Sequence, residues 1–188
     1  MMSDPTRTAR LCLGLVPALA AGLSAGCATS TVLLVSYKDP YFPERIHIAL
    51  SDGACWTDAS GDIHAAARGT TQTAQGTATH YLCIHRFWSP KPGKTHAEES
   101  MTDATLRYCV STENGVLVYT GTGFVFPKKR LTGGLEINIE SARLRLESRS
   151  GDLPDIFGNS RLTGTLLARD DPDAAADLIR QAELLESH

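Results

Sequence analysis

The chain has 188 residues, 42% of them hydrophobic, with 18 Lys or Arg against 21 Asp or Glu and a net charge of −3. That balance lacks the basic footprint of a nucleic-acid-binding protein, so no nucleic-acid partner is expected. The length suits one domain with a real core.

The first ten residues carry Arg7 and Arg10, and "LCLGLVPALAAGLSA" then runs from Leu11 to Ala25 without a charge. This is the n-region and h-region of a secretory signal, shorter than the roughly 20 residues of a spanning helix. A buried amphipathic helix is the poorer reading, because no polar face recurs at helical spacing. Ser24, Ala25 and Gly26 directly before Cys27 resemble a bacterial lipobox. The resemblance implies a diacylglycerol on the Cys27 thiol and cleavage before it. Residues 1–26 are then a lipoprotein signal peptide, 27–30 a tether and 31–188 a single globular domain. The lipobox favours leucine three places before the cysteine, where this chain has Ser24 with Leu23 one place further off, so cleavage by the ordinary signal peptidase after Ala28 stays open. An anchor of two or three acyl chains holds strongly, at about 0.8 kcal/mol per buried CH₂. Ala28 follows the anchor in place of an inner-membrane aspartate, which implies the outer membrane, facing the periplasm. Loss of residues 1–26 takes away Arg7, Arg10 and Asp4 and moves the net charge from −3 to −4.

Behind the tether the pattern is β, with period-two alternation between turn residues. Strands are expected at 31–37, 45–50, 62–69, 78–88, 104–112, 115–126, 134–140, 142–148 and 161–169, and "TTQTAQGT" (70–77) reads as a polar connection. Eight or nine short strands predict an all-β fold, an antiparallel sandwich or a small barrel. Asn114-Gly115 suits a type I′ turn that sets Val110 opposite Tyr119 and Thr112 opposite Leu117. Gly121-x-Gly123, with no helix after it, predicts a bulge or barrel corner rather than a phosphate loop. Val118, Val125, Ile137, Ile139, Leu144 and Leu146 are the inward candidates. At the C-terminus, Asp171 as N-cap, Pro172 in the first turn and Asp173 on the favourable end of the dipole predict a helix over 172–186. Its apolar stripe is Ala175, Leu178, Ala182 and Leu185.

Export makes a disulfide among Cys55, Cys83 and Cys109 expected. Pairing strands 78–88 and 104–112 about residue 96 sets Cys83 opposite Cys109, Leu82 opposite Val110, Ile84 opposite Tyr108 and Trp88 opposite Ala104. Cys83–Cys109 is therefore the preferred bond, leaving Cys55 free. A bond from Cys55 to either of the others is the rival.

The search for chemistry finds no HExxH, CxxC, GxSxG, SxxK or EF-hand pattern. His80 and His85 are five apart on a strand and so face opposite ways. Cys55 and His64 lack a positioned third group. A non-enzymatic protein without metal or cofactor is expected. The loops carry the binding candidates: Tyr41 and Phe42 between prolines in 37–45, Trp88 in 85–96, and Lys128, Lys129 and Arg130 in 126–134. Aromatic and basic residues at the tips of a β scaffold suit a recognition surface. The function that follows is an envelope lipoprotein that binds an envelope or secreted protein, as an inhibitor, immunity protein or assembly accessory. The alternative is a β-barrel carrier of a lipid or other apolar ligand, which needs a cavity of about 300 Å³ or more.

Overall fold

The structure is a computed structural model that describes residues 29–73, 76–87 and 102–187. The signal segment, Cys27 and Trp88 lie outside the described residues. Nine strands follow in chain order: β1 (Ser30–Ser36), β2 (Glu44–Leu50), β3 (Asp52–Thr57), β4 (Ile63–Thr73), β5 (Gly76–Arg86), β6 (Ala104–Thr112), β7 (Gly115–Lys129), β8 (Leu135–Gly151) and β9 (Ser160–Asp170). The helix α1 (Pro172–Leu184) and a 3-10 turn (Leu185–Ser187) end the chain.

The strands make a closed barrel. The ring runs β9-β3-β4-β5-β6-β7-β8 and back to β9, with β1 and β2 as two extra strands beside it. One edge of β9 is shared: its residues Ser160 to Thr165 pair with β1, and Arg169 and Asp170 pair with Ala54 and Cys55 of β3. Only Ser51 separates β2 from β3, and its N–H donates to the Arg68 carbonyl at 2.8 Å. The two are thus one chain path that leaves β1 and joins β4. Closure removes the open edges that would otherwise invite pairing with other chains.

Period-two alternation sorts the side chains. In β6, Ala104, Leu106, Tyr108 and Val110 point into the barrel, and Thr105 and Arg107 point out. Tyr108, Tyr119, Leu34, Leu82, Leu106, Leu117 and Leu162 are all under 2% exposed and fill the interior. Phe157, from the β8–β9 connection, closes one end by packing on Tyr108 and Tyr119, with ring centroids 5.9 and 5.2 Å apart. A second, smaller core lies outside the barrel, where Ala175, Leu178 and Ala182 of α1 cover Ala54, Ala66, Tyr81, Cys109, Val116 and Val118. The helix begins as expected: the Asp171 carboxylate accepts from Ala174 N–H at 3.0 Å, and Pro172 occupies the first turn.

Several expectations are corrected. No strand is expected between 50 and 62, yet β3 forms there, and Gly53 serves the closure: a Cβ on it would sit 2.0 Å from the Leu167 carbonyl oxygen of β9. The polar stretch 70–77 is mostly strand, since β4 runs to Thr73 and β5 starts at Gly76. Strands 134–140 and 142–148 are one strand, β8, with a register shift between Ile139 and Ala142 that changes the inward parity. The β6–β7 turn places Val110 opposite Leu117 and Thr112 opposite Gly115. That register is two residues from the expected one. No non-glycine residue among those described has positive φ, so Asn114 does not take its type I′ conformation, and Gly115 at φ +142° opens the strand. Val118 points outward under α1, while Leu117 and Tyr119 point inward. Gly121 and Gly123 do mark a corner, flanked by register shifts at Val118/Tyr119 and Phe124/Val125.

Candidate functional site

At one end of the barrel the β1–β2 connection raises Tyr41 and Phe42 into solvent, 87% and 80% exposed. Asp39 Oδ1 accepts from the N–H groups of Tyr41 at 2.9 Å and Phe42 at 3.3 Å, an Asx turn that sets the direction of both rings. Pro40 and Pro43 stiffen the chain on either side. The loop is tied to the β8–β9 connection: Lys38 Nζ donates to the Asp155 carbonyl at 2.9 Å, Tyr37 N–H to the Asn159 carbonyl at 2.9 Å, and Ser36 Oγ to the Phe157 carbonyl at 2.7 Å. Asp155 anchors that connection in turn. Its Oδ1 accepts from Tyr119 OH at 2.6 Å and Gly158 N–H at 2.8 Å. Desolvation opposes the charge on Asp155, but these donors outweigh it and hold the carboxyl below its ordinary range.

The outer face of β4 to β9 carries a continuous row of side chains in register. His64 pairs with His85, His85 with Thr105, Thr105 with Thr122, Thr122 with Arg143, and Arg143 with Arg161. One residue pair along, Arg107 faces Thr120 and Thr120 faces Arg145. A groove of about 1340 Å³ lies against this face, lined by His64, His85 and these four arginines, with Ile179 and Glu183 of α1 among its walls. At its aromatic end the rings of Trp56, His64 and His85 stack in parallel, with successive centroids 4.4 Å apart. His64 Nε2 lies 3.4 Å from Asp58 and His85 Nε2 3.5 Å from Asp62. Desolvation works against the Asp58 carboxylate, yet the amides of Asp62 and Ser60 and the His64 ring leave it below the ordinary carboxylate range. Among the described residues no group of three or more His, Cys, Asp or Glu is placed to hold a metal ion.

Inside the barrel His80 is among the polar residues that interrupt the apolar core. His80 is 6% exposed, with Nδ1 2.7 Å from Tyr108 OH and Nε2 2.7 Å from Thr71 Oγ1. A neutral imidazole donates from one ring nitrogen and accepts at the other, so His80 accepts a hydrogen bond from one of these hydroxyls and donates one to the other. Burial depresses the His80 pKa and raises that of Tyr108 well above its usual value.

The structure separates the residues that sequence reasoning grouped. Tyr41 and Phe42 lie at the β1–β2 end, and Lys128, Lys129 and Arg130 lie at the β7–β8 turn. β1 and β8 run the same way, because each is antiparallel to β9. The β1–β2 loop and the β7–β8 turn are therefore at opposite ends of the barrel. Cys55 faces the interior and His64 the outside, which breaks up that pair. The Cys83–Cys109 bond is absent: Cys55, Cys83 and Cys109 are free thiols. β5 and β6 pair two residues away from the expected register, with Cys83 opposite Arg107 and Cys109 opposite Tyr81. The two thiols are thus diagonal neighbours, about 7–8 Å apart at Cα and too far for a disulfide. Desolvation pushes Cys83 and Cys109 up to about 12. The arginine row was missed because Arg161 joins Arg143 only through the β8–β9 pairing. The visible signal was Arg143 and Arg145 alternating with Leu144 and Leu146. Comparison with protein-family models, curated proteins and solved structures finds no match to this chain.

Proposed function

We propose that this chain is a membrane-anchored envelope lipoprotein, tethered through Cys27 to the outer membrane on its periplasmic side, whose barrel is a non-enzymatic module that binds an envelope or secreted protein. The observation that carries the reading is the Tyr41–Phe42 tip, two adjacent aromatic rings more than three-quarters exposed and held outward by the Asp39 turn. Aromatic anchors of this kind dominate interface energetics, and a loop already ordered loses little freedom on binding. The filled interior supports the same reading over a carrier, since Tyr108, Tyr119 and Phe157 occupy the space an apolar ligand would need.

Truncating either ring should weaken a partner by about 2 kcal/mol or more, roughly thirtyfold in affinity. The test is capture from detergent-solubilised envelope by the full chain and by a Tyr41→Ser/Phe42→Ser variant with an unchanged circular-dichroism spectrum. One protein held by the first and lost by the second supports the module, and an identical captured set removes the tip from consideration. The anchor is tested separately. Cys27→Ser should move the protein out of the membrane fraction, and a lipid-free mature product beginning at Thr29 would sink the lipoprotein reading.

A further inference from the structure

We propose that the outer groove holds a binding site for a phosphoryl group, made by Arg143, Arg145 and Arg161 with the hydroxyl of Thr122. This goes beyond the tip-mediated function and does not depend on it.

The first observation is a charge cluster without counter-charge. Five arginines of the described fold are paired with acids: Arg68 with Asp52, Arg86 with Asp103, Arg107 with Glu147 and Glu186, Arg169 with Asp171, and Arg180 with Asp177. Arg143, Arg145 and Arg161 have no carboxylate within 4.0 Å among the described residues, in a chain where acids outnumber bases. Nor are the three dispersed. Arg143 and Arg161 are direct cross-strand partners, and Arg145 follows two residues on along the same outward face of β8. Like charges directly opposite one another destabilise a sheet. An anion placed between them turns that repulsion into attraction.

The second observation is a neutral donor on the same outward face. Thr122, cross-strand partner of Arg143, is exposed and adds a hydroxyl to the groove wall.

Chemistry selects the ligand class. Guanidinium forks match phosphate oxygens bidentately, and a phosphomonoester carries about −1.5 to −2 at neutral pH, which suits three cations better than a single carboxylate does. Glu183 of α1 also lines the groove, and its carboxylate disfavours a second anionic group beside it. The phosphoryl group is therefore one end of the bound molecule. It arrives either on a soluble compound or on a lipid headgroup.

The experiment uses the full chain with two probes: inorganic phosphate by calorimetry, and flotation with phosphatidylcholine vesicles with or without phosphatidic acid. The anchor is kept out of the flotation arm by Cys27→Ser in every protein compared. Arg143→Ala/Arg161→Ala should lower affinity at least tenfold for whichever probe binds, while Arg180→Ala, whose cation is already paired on α1, binds as the parent does. Saturable phosphate binding lost in the double variant supports the site with a soluble ligand. Flotation that needs phosphatidic acid and is lost in the double variant supports it with a lipid source. No binding of either probe, binding unchanged by the double substitution, or equal binding of chloride at the same ionic strength overturns the proposal. Thr122→Val gives a second reading, because it removes the hydroxyl without touching charge. It should weaken phosphate binding while leaving the circular-dichroism spectrum unchanged, since Thr122 is exposed on its strand.

Discussion

The buried His80–Tyr108 pair allows a quantitative test of how the barrel interior is held. Tyr108→Phe removes one oxygen at constant volume and strands Nδ1 of His80, in a site 6% exposed, without its 2.7 Å partner. Leaving a buried polar atom unsatisfied costs about 1–3 kcal/mol. For a domain of this size about 2 kcal/mol lowers the melting temperature by roughly 4–8 °C. The companion substitution His80→Leu/Tyr108→Phe removes both partners and should cost less than Tyr108→Phe alone, leaving only the part-buried Thr71 hydroxyl to find water. A pH scan adds an independent check. Burial lowers the His80 pKa below its ordinary 6.5, so the unfolded chain takes up a proton that the folded chain refuses. Stability is therefore complete above about pH 6.5 and falls as pH drops through that value toward the folded pKa. The double variant should lack this step. Urea melts by circular dichroism at a series of pH values measure all three quantities. A cost below about 0.5 kcal/mol for Tyr108→Phe, within the range of an ordinary surface change, would refute the reasoning.

The Arg86–Asp103 ion pair, with side chains 12% and 2% exposed, also holds the Val125 amide through Asp103 Oδ1 at 2.9 Å. Asp103→Ala should cost about 3–5 kcal/mol in a urea melt, because it leaves a buried guanidinium without its counter-charge. Gly121→Ala should destabilise by about 1–3 kcal/mol, since the new Cβ would stand 1.7 Å from the Arg143 carbonyl oxygen and backbone must move. Thermal melting checks it, and an unchanged midpoint would mean the corner is looser than described. Non-reducing peptide mapping of the mature chain should recover Cys83 and Cys109 as separate free thiols. A linked peptide would show that the β5–β6 register is shifted by two residues.

Local physics reached the chain first. The β class followed from period-two alternation, the helix from Asp171, Pro172 and the Ala175–Leu178–Ala182 stripe, and the opposite facing of His80 and His85 from parity alone. These features depend on neighbours within a few residues, where side-chain direction is dictated by backbone geometry. Register was beyond that reach. A shift of two keeps every side chain on its face, so the β5–β6 pairing with Cys83 opposite Cys109 and the one with Cys83 opposite Arg107 satisfy the same hydrophobic pattern. The disulfide, which depended on that choice, was misplaced.

Closure was equally invisible, because it is a long-range event. Gly53 looks like a turn residue until β9 passes within 2.0 Å of where its Cβ would be, and β3 exists as a strand only because β4 and β9 are both beside it. The surfaces follow the same division. Tyr41 and Phe42 were legible as exposed aromatics between prolines, since Asp39 orders that loop from two and three residues away. That they stand at the opposite end from Lys128, Lys129 and Arg130 depended on the direction of every strand between them. Arg143 and Arg161 are eighteen positions apart in the chain and share no local pattern. They become a charge pair only when β8 and β9 lie side by side, for a sheet brings together residues through backbone hydrogen bonds that carry no record of side-chain identity.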